Sequence, residues 1–359
     1  MEQNPKRDRK DYEMPHKIMD FRSDTVTKPS DEMRRAIACA PVGDDIFGDD
    51  PTANELCRYA AEITEKEAAI YVCSGTMGNL LAFATAGHAG ESLIAGKRSH
   101  VWCSEVGGFS AVAGLCPYPL CDDEGIPSPE DVRASARGSS DIHQPITTIL
   151  ALENTHNYTG GIAVAPDRFA KTAREGKKLG LHVHLDGARI FNAAVKFGVH
   201  VADYTREVDS VQFCLSKGLG APLGSMLCGT HDFIERAKKW RKRIGGAQRQ
   251  VGIAAAAGLY ALKNNVARLA EDHDNAALLA SLLKEGGVAV EEVPNMTNMV
   301  FFPLKDGQPQ GTLFEEKCRE KGLLVHVLAP DRARLVTHLD VDADDVRRAV
   351  QIILEVLAQ

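Results

Sequence analysis

Three short stretches of this chain place reactive side chains directly after apolar, strand-like runs. Ser74-Gly75-Thr76 follows AAIYVC, Asp186-Gly187-Ala188-Arg189 follows LHVHL, and Ser216-Lys217-Gly218 follows SVQFCL. In an open α/β sheet, ligands collect at the carboxyl ends of strands. These three ends offer an anion seat, a carboxylate and an amine. Ser74-Gly75-Thr76 opens a helical pattern, and its free N–H groups, hydroxyls and helix dipole suit a phosphate. Taken by itself the stretch is a weak signal and is better read as a plain turn with a helix N-cap. Lys217 sits in SKGLGAPLG, where glycines permit close backbone approach to a ligand. A desolvated lysine there is a nucleophilic amine, whereas a snorkelling lysine is only a surface charge. Asp186 can hold the proton of a pyridinium ring, with Arg189 facing the same pocket. The plain alternative is a surface salt bridge between them.

A second chemistry is open at the same place. His182, His184 and Asp186 alternate along one strand and so share a face, which is a plausible divalent-metal cluster. It has no downstream partner with ligand spacing, so it ranks below the cofactor reading; two core or interface histidines are the commoner case. GLGAPLG is rejected as a dinucleotide fingerprint because it follows a lysine, contains a proline and lacks the expected later acid. The chain has no Walker lysine motif and no GxSxG.

The elements that must carry these residues follow from the apolar patterning. From about Phe21 to Gly229, strand-like runs (Ala68–Gly75, Glu91–Gly96, Ile146–Asn154, Gly180–Asp186, Ser210–Gly218, Gly224–Gly229) alternate with helical stretches. Continuous apolar strands between helices predict a largely parallel sheet covered on both faces. After Asp232 the pattern changes to a cationic helix, a long Ala/Leu-rich helical stretch, and three strand-like runs (NMVFFPL, LLVHVLA, RARLVTHL). A closing amphipathic helix is capped by Asp342 or Asp344. The expected organisation is a solvated tail at 1–16, a large domain at 17–260 and a smaller α+β domain at 261–359.

At 359 residues, 44% hydrophobic and 25% charged, the chain is neither disordered, collagen-like nor a disulfide miniprotein. A net charge of −7 supplies no field for nucleic acid, and no apolar run is long enough to span a bilayer. The N-terminus lacks the apolar core of a secretory signal. Nine cysteines without a CxxC fit reduced thiols in a cytoplasmic protein.

FRSDTVTKPSDEM, VGDDIFGDDPTANEL, SGTMGN, LENTHN, HLDGARIFNA, CLSKGLGAPLGS, GGAQRQ and RLVTHLD, in that order from Phe21 to Asp340, resemble the low-specificity L-threonine aldolases, fold-type-I pyridoxal-phosphate enzymes. The resemblance implies an α/β large domain with a mostly parallel sheet, a smaller α+β C-terminal domain, and pyridoxal 5'-phosphate as cofactor. It implies that Lys217 links to the cofactor, Asp186 pairs with its ring nitrogen, and Arg189 contacts the ring hydroxyl and the substrate carboxylate. Gly75 and Thr76 would hold the phosphate, and His100 would stack on the ring. Ser23 and Arg334 match the carboxylate-binding pair, and His143 a histidine near the substrate hydroxyl. Lys242 and Arg249 match cations that reach a neighbouring subunit's site, so a homo-oligomer, a dimer of dimers, is implied. His143 as a structural histidine and Lys242 as part of a solvated helix are the plain alternatives.

The implied reaction is retro-aldol cleavage of L-threonine, L-allo-threonine or related β-hydroxy-α-amino acids to glycine and an aldehyde such as acetaldehyde. The base is His100, His143 or a water they position. The family often places an aromatic residue just before Glu105, where this chain has Ser104, with Trp102 nearby. A metal hydrolase built on His182, His184 and Asp186, and a racemase or transaminase on the same scaffold, are the competing functions.

Overall fold

The computed structural model describes residues 18–138 and 140–359; the stretch 1–16, expected as a tail, lies outside them. The strands are β1 (Met19–Asp20), β2 (Ala68–Val72), β3 (Ser92–Gly96), β4 (Cys116–Leu120), β5 (Thr147–Glu153), β6 (His182–Asp186), β7 (Ser210–Cys214), β8 (Ser225–Gly229), β9 (Met299–Pro303), β10 (Leu323–Leu324), β11 (His326–Ala329) and β12 (Arg332–Val336). Seven of them form one sheet in the order β2-β8-β7-β6-β5-β3-β4. β8 runs antiparallel to both neighbours, and the other pairs are parallel.

Alternate residues of the central strands enter opposite layers, as the two-residue period of a strand requires. Ile94, Leu150 and Leu152 join one core with Leu56, Phe169 and Phe213, while Leu93, Ile149 and Ala151 join another with Phe83 and Phe109. Both faces are therefore dry, and each fully buried Leu or Phe contributes roughly 1.5–3 kcal/mol.

The six strands expected from Ala68 to Gly229 are all present. The seventh, β4 (CPYPL), was not expected, because two prolines within five residues argue against a strand. It is an edge strand paired with β3 alone. Cys116 donates its N–H to the Glu91 carbonyl, so Pro117 and Pro119, which alternate with it, put their missing N–H groups on the free edge.

A second core surrounds the antiparallel sheet β11-β12-β9 and the helices Leu269–Glu285, Gly311–Glu320 and Ala343–Leu357. Asp342 caps the last helix in a reciprocal box with Asp345. The expected boundary at 260 falls inside helix Gly252–Asn264, whose Ala255, Ala257 and Ala261 belong to the first core. At the other end of the chain, β1 pairs with β10, and Met19 and Phe21 are buried in the second core. Residues just after β1 are thereby delivered to the junction of the two cores.

Candidate active site

β6 ends on Asp186, which is 2% exposed. Its Oδ1 accepts Gln212 Nε2–H at 2.8 Å and the Ala188 N–H at 3.1 Å, and its Oδ2 accepts Asn79 Nδ2–H at 2.9 Å. Burial pushes this carboxyl up, but His100, Lys217 and the hydrogen-bond donors outweigh it and hold the group ionised. Gln212 comes from β7 and Asn79 from helix Gly75–Ala86. The helix sits this close because its first turn is glycine-rich. A Cβ on Gly75 would stand 2.8 Å from Cys214 Sγ, and one on Gly78 would stand 3.0 Å from Gln212 Cβ. Ser74 is the N-cap, its Oγ accepting the Met77 N–H at 3.2 Å. That leaves the N–H groups of Gly75 and the exposed Thr76 at the helix mouth.

Lys217 is half-buried just beyond β7, within electrostatic reach of both Asp186 and Asp24. The turn behind it is tight: Gly220, at φ +80°, donates its N–H to the Lys217 carbonyl at 2.8 Å.

The HxHxD cluster is not assembled for a metal. Ser210 Oγ stands 2.8 Å from both His182 Nε2 and His184 Nδ1, and His184 Nε2 lies 3.0 Å from Asn79 Oδ1. Burial lowers His184 to about 3 and His182 to about 4, so both rings are neutral. Among the described residues, the donor atoms that converge within 4.8 Å belong to His100, Glu105 and Asp186. Asp186 already faces two side-chain amide N–H groups, and Glu105 shares the Asn79 amide at 2.9 Å. These donors repel a cation.

His100 heads the short helix His100–Cys103. Glu153 Oε2 accepts its backbone N–H at 2.6 Å, and Glu105 Oε1 lies 3.1 Å from its Nδ1. Burial pulls the imidazole down, but the Glu105 bond and the charges of Asp186, Glu105 and Glu153 raise it overall.

The carboxylate-binding side is built from both ends of the chain. Arg334, on β12, is 8% exposed; its Nη1 donates to Asn157 Oδ1 at 3.3 Å and its Nη2 to the Arg22 carbonyl at 3.1 Å. Its Nε is buried without a partner, and among the described residues no carboxylate lies within ion-pair distance of it. Burial and the nearby Arg189 charge draw it down to about 10, still a cation at neutral pH. Ser23 is half-buried and caps the 3-10 turn Asp24–Val26. Arg189 is held by Asp24, Nε to Oδ2 at 2.7 Å and Nη2 to Oδ1 at 2.6 Å. Asp24 was not singled out from the sequence, nor were Asn79, Glu153 and Gln212. The available signal was local: a polar residue inside an apolar run for Gln212, and an amide one helical turn beyond Gly75 for Asn79.

A family profile described as Beta-eliminating lyase matches residues 20–306. The low-specificity L-threonine aldolase of Escherichia coli K12 is 45% identical over 330 residues, 92% of this chain and 96% of that one. The chain belongs to the beta-eliminating lyase family, with the low-specificity L-threonine aldolases. The structure of a Leishmania major threonine aldolase superposes with a TM-score of 0.82 at 20% identity, covering 94% of this chain and 99% of that one. A Sphingomonas wittichii serine palmitoyltransferase superposes at 0.76 with 16% identity, covering 94% and 87%. The lyase therefore has the fold-type-I architecture.

Three expected residues of this lyase stand apart from the cluster. His143 is exposed, and its backbone N–H donates to Asp141 Oδ1 at 2.9 Å. Lys242 is exposed at the end of helix His231–Arg243, and Arg249 is exposed with its Nη1 3.1 Å from Asp44 Oδ2. The buried cation of that stretch is Arg241, which donates to the Tyr71 carbonyl at 2.8 Å and to Asp45 at 2.7 Å.

Proposed function

We propose that this lyase is a pyridoxal-phosphate-dependent aldolase that cleaves L-threonine, L-allo-threonine and related β-hydroxy-α-amino acids to glycine and an aldehyde such as acetaldehyde. The observation that carries this reading is the buried, ionised Asp186 with Lys217 near it, joined through Asp24 and Arg189 to a buried Arg334 that lacks, among the described residues, a carboxylate partner within ion-pair distance. This donor set fits the cofactor. Asp186 would hold the ring nitrogen, Lys217 the aldehyde carbon, and Gly75 and Thr76 the phosphate at the helix mouth, with His100 against the ring. When bound, the protonated ring supplies the sink for the electron pair freed at Cα.

The chain's own residues do the rest. Arg334, with Ser23 and Arg189, grips the α-carboxylate through charge-assisted hydrogen bonds and so fixes which Cα bond is aligned for cleavage. The β-hydroxyl proton passes to His100 or a water it holds, since His143 stands exposed and apart from the cluster. The Cα–Cβ bond breaks, the C–O bond becomes a carbonyl, and Cα takes up a proton to leave glycine. The position of His100 against Glu105 and Asp186 supports it as the group that holds this proton. The test is aldehyde release from L-threonine by cofactor-loaded protein, coupled to NADH oxidation, with glycine formed in equal amount. Loss of a visible absorbance band on borohydride treatment, with label on Lys217, is expected alongside. Absence of aldehyde from every β-hydroxy-α-amino acid tried overturns the reading.

The same reading includes a cytoplasmic dimer of dimers acting in threonine breakdown and glycine supply. The free state of all nine cysteines fits a reducing compartment. Lys242 and Arg249, exposed in their own chain, would reach a neighbouring subunit's cofactor phosphate. Phe47, 76% exposed, and Ile253, 53% exposed, leave apolar surface for a second copy. Among the described residues no helix is long and apolar enough to cross a membrane.

A further inference from the structure

Ser104 is exposed at the end of the short helix that begins with His100, and its hydroxyl is engaged. Ser104 Oγ lies 2.9 Å from the phenol oxygen of Tyr158, which arrives from 54 residues further along the chain. Each of the two residues adjoins in the chain a group already placed at the site. Ser104 closes the helix that begins with His100 and adjoins Glu105. Tyr158 adjoins Asn157, whose Oδ1 accepts from Arg334 and whose N–H donates to Glu153 Oε1 at 2.9 Å. The phenol is also close enough to bear electrostatically on the Arg334 guanidinium.

The mount of Tyr158 is rigid. Arg98 Nη2 donates to its carbonyl at 2.6 Å. On either side, the buried His156 lies 2.8 Å from Asp122 through Nε2 and 3.0 Å from Thr159 Oγ1 through Nδ1. The backbone that carries the phenol is thus pinned by a buried network, and the bond to Ser104 sets the direction of its tip.

Resting on the aldolase reading, a substrate whose carboxylate lies on Arg334 and whose β-hydroxyl lies near His100 turns its β-substituent toward the strip joining the two. We propose that Tyr158 and Ser104 form the wall this substituent meets, a specificity-determining pair that favours small or hydroxylated β-substituents over aryl ones. In the mutual bond only one hydroxyl donates, so the other keeps its proton and both keep acceptor capacity. A substrate hydroxyl can replace the water lost there. An aryl ring strips that water and returns nothing. An aromatic residue at 104 would reverse the preference, since it offers a face to stack on and no group to satisfy.

The experiment measures kcat/KM of the holoenzyme for 2-amino-3,4-dihydroxybutanoate, which adds one hydroxyl to threonine's methyl, and for β-phenylserine. Wild type is compared with Tyr158→Phe, Ser104→Ala and Ser104→Phe. The ratio of the two values within one preparation is independent of how much protein is active. It is expected to move about tenfold toward phenylserine in Tyr158→Phe and in Ser104→Phe. Wild-type turnover with a ratio unchanged within twofold in all three variants overturns the wall. Wild type that releases no aldehyde from any substrate overturns the aldolase reading, and the wall with it.

Discussion

Asp24 and Arg189, 165 residues apart, meet in a buried two-bond ion pair at 2.6 and 2.7 Å. Asp24 is fully buried and Arg189 is 7% exposed. The guanidinium expected to bind substrate is therefore already oriented by a carboxylate of the N-terminal segment. Asn298 Nδ2, 3.3 Å from Asp24 Oδ2, ties the pair to the second core.

Asp24→Asn leaves a buried guanidinium without its counter-charge, and the expected loss is about 3–5 kcal/mol. Burial alone would raise the Asp24 carboxyl, but Arg189 and Lys217 hold it well below its ordinary value. A depressed folded-state pKa gives stability that is present above about pH 4 and is lost as pH falls through the folded value. Urea unfolding should show a gap between wild type and Asp24→Asn at pH 7 that narrows in acid. A gap that does not change with pH would contradict the electrostatic account.

Lys217→Ala is expected to fold, to lack the visible band of bound cofactor and to have no measurable turnover. Far-ultraviolet circular dichroism and an absorbance scan check this. Full activity in the folded variant would sink the pyridoxal reading.

Asp186→Asn keeps the shape and removes the charge. Turnover should fall on the order of 10²–10³-fold, the scale of losing one preorganised electrostatic partner. Unfolding should change far less, because the asparagine keeps one acceptor oxygen, Asn79 also donates to Glu105, and the unpartnered Gln212 Oε1 can turn to accept the new N–H. Near-normal cleavage by purified Asp186→Asn would refute the role.

His100 is raised by Glu105, with Asp186 and Glu153 adding to the effect against the pull of burial. Glu105→Gln removes the first of these charges, so the imidazole pKa should drop. If neutral His100 takes the hydroxyl proton, kcat/KM rises with pH through that pKa, and the acidic limb moves to lower pH in the variant. An unmoved limb would assign the proton to another group.

Mixing inactive Lys217→Ala with inactive Arg249→Ala under subunit exchange tests the crossing arm. If Arg249 serves the neighbouring site, a hybrid dimer holds one complete site and activity partly returns. A flat zero after verified exchange would place Arg249 in its own subunit's site.

The sequence alone determined the α/β class, six of the seven sheet strands, and the strand-end positions of Asp186, Lys217 and Ser74-Gly75-Thr76. Each of these is a local signal: an apolar run, its period, and the residue that follows it. β4 escaped because its prolines are tolerated only on a free edge, and edge position belongs to the sheet. The tertiary structure alone decided that His184 spends its nitrogens on Ser210 and Asn79, that Arg189 is claimed by Asp24, and that Ser104 meets Tyr158. It also decided that β1 joins the C-terminal core. These are pairings across 26 to 304 residues of chain. Local pattern records which groups are polar. Which polar groups satisfy one another is set only when packing removes water and leaves each buried donor to find the nearest acceptor.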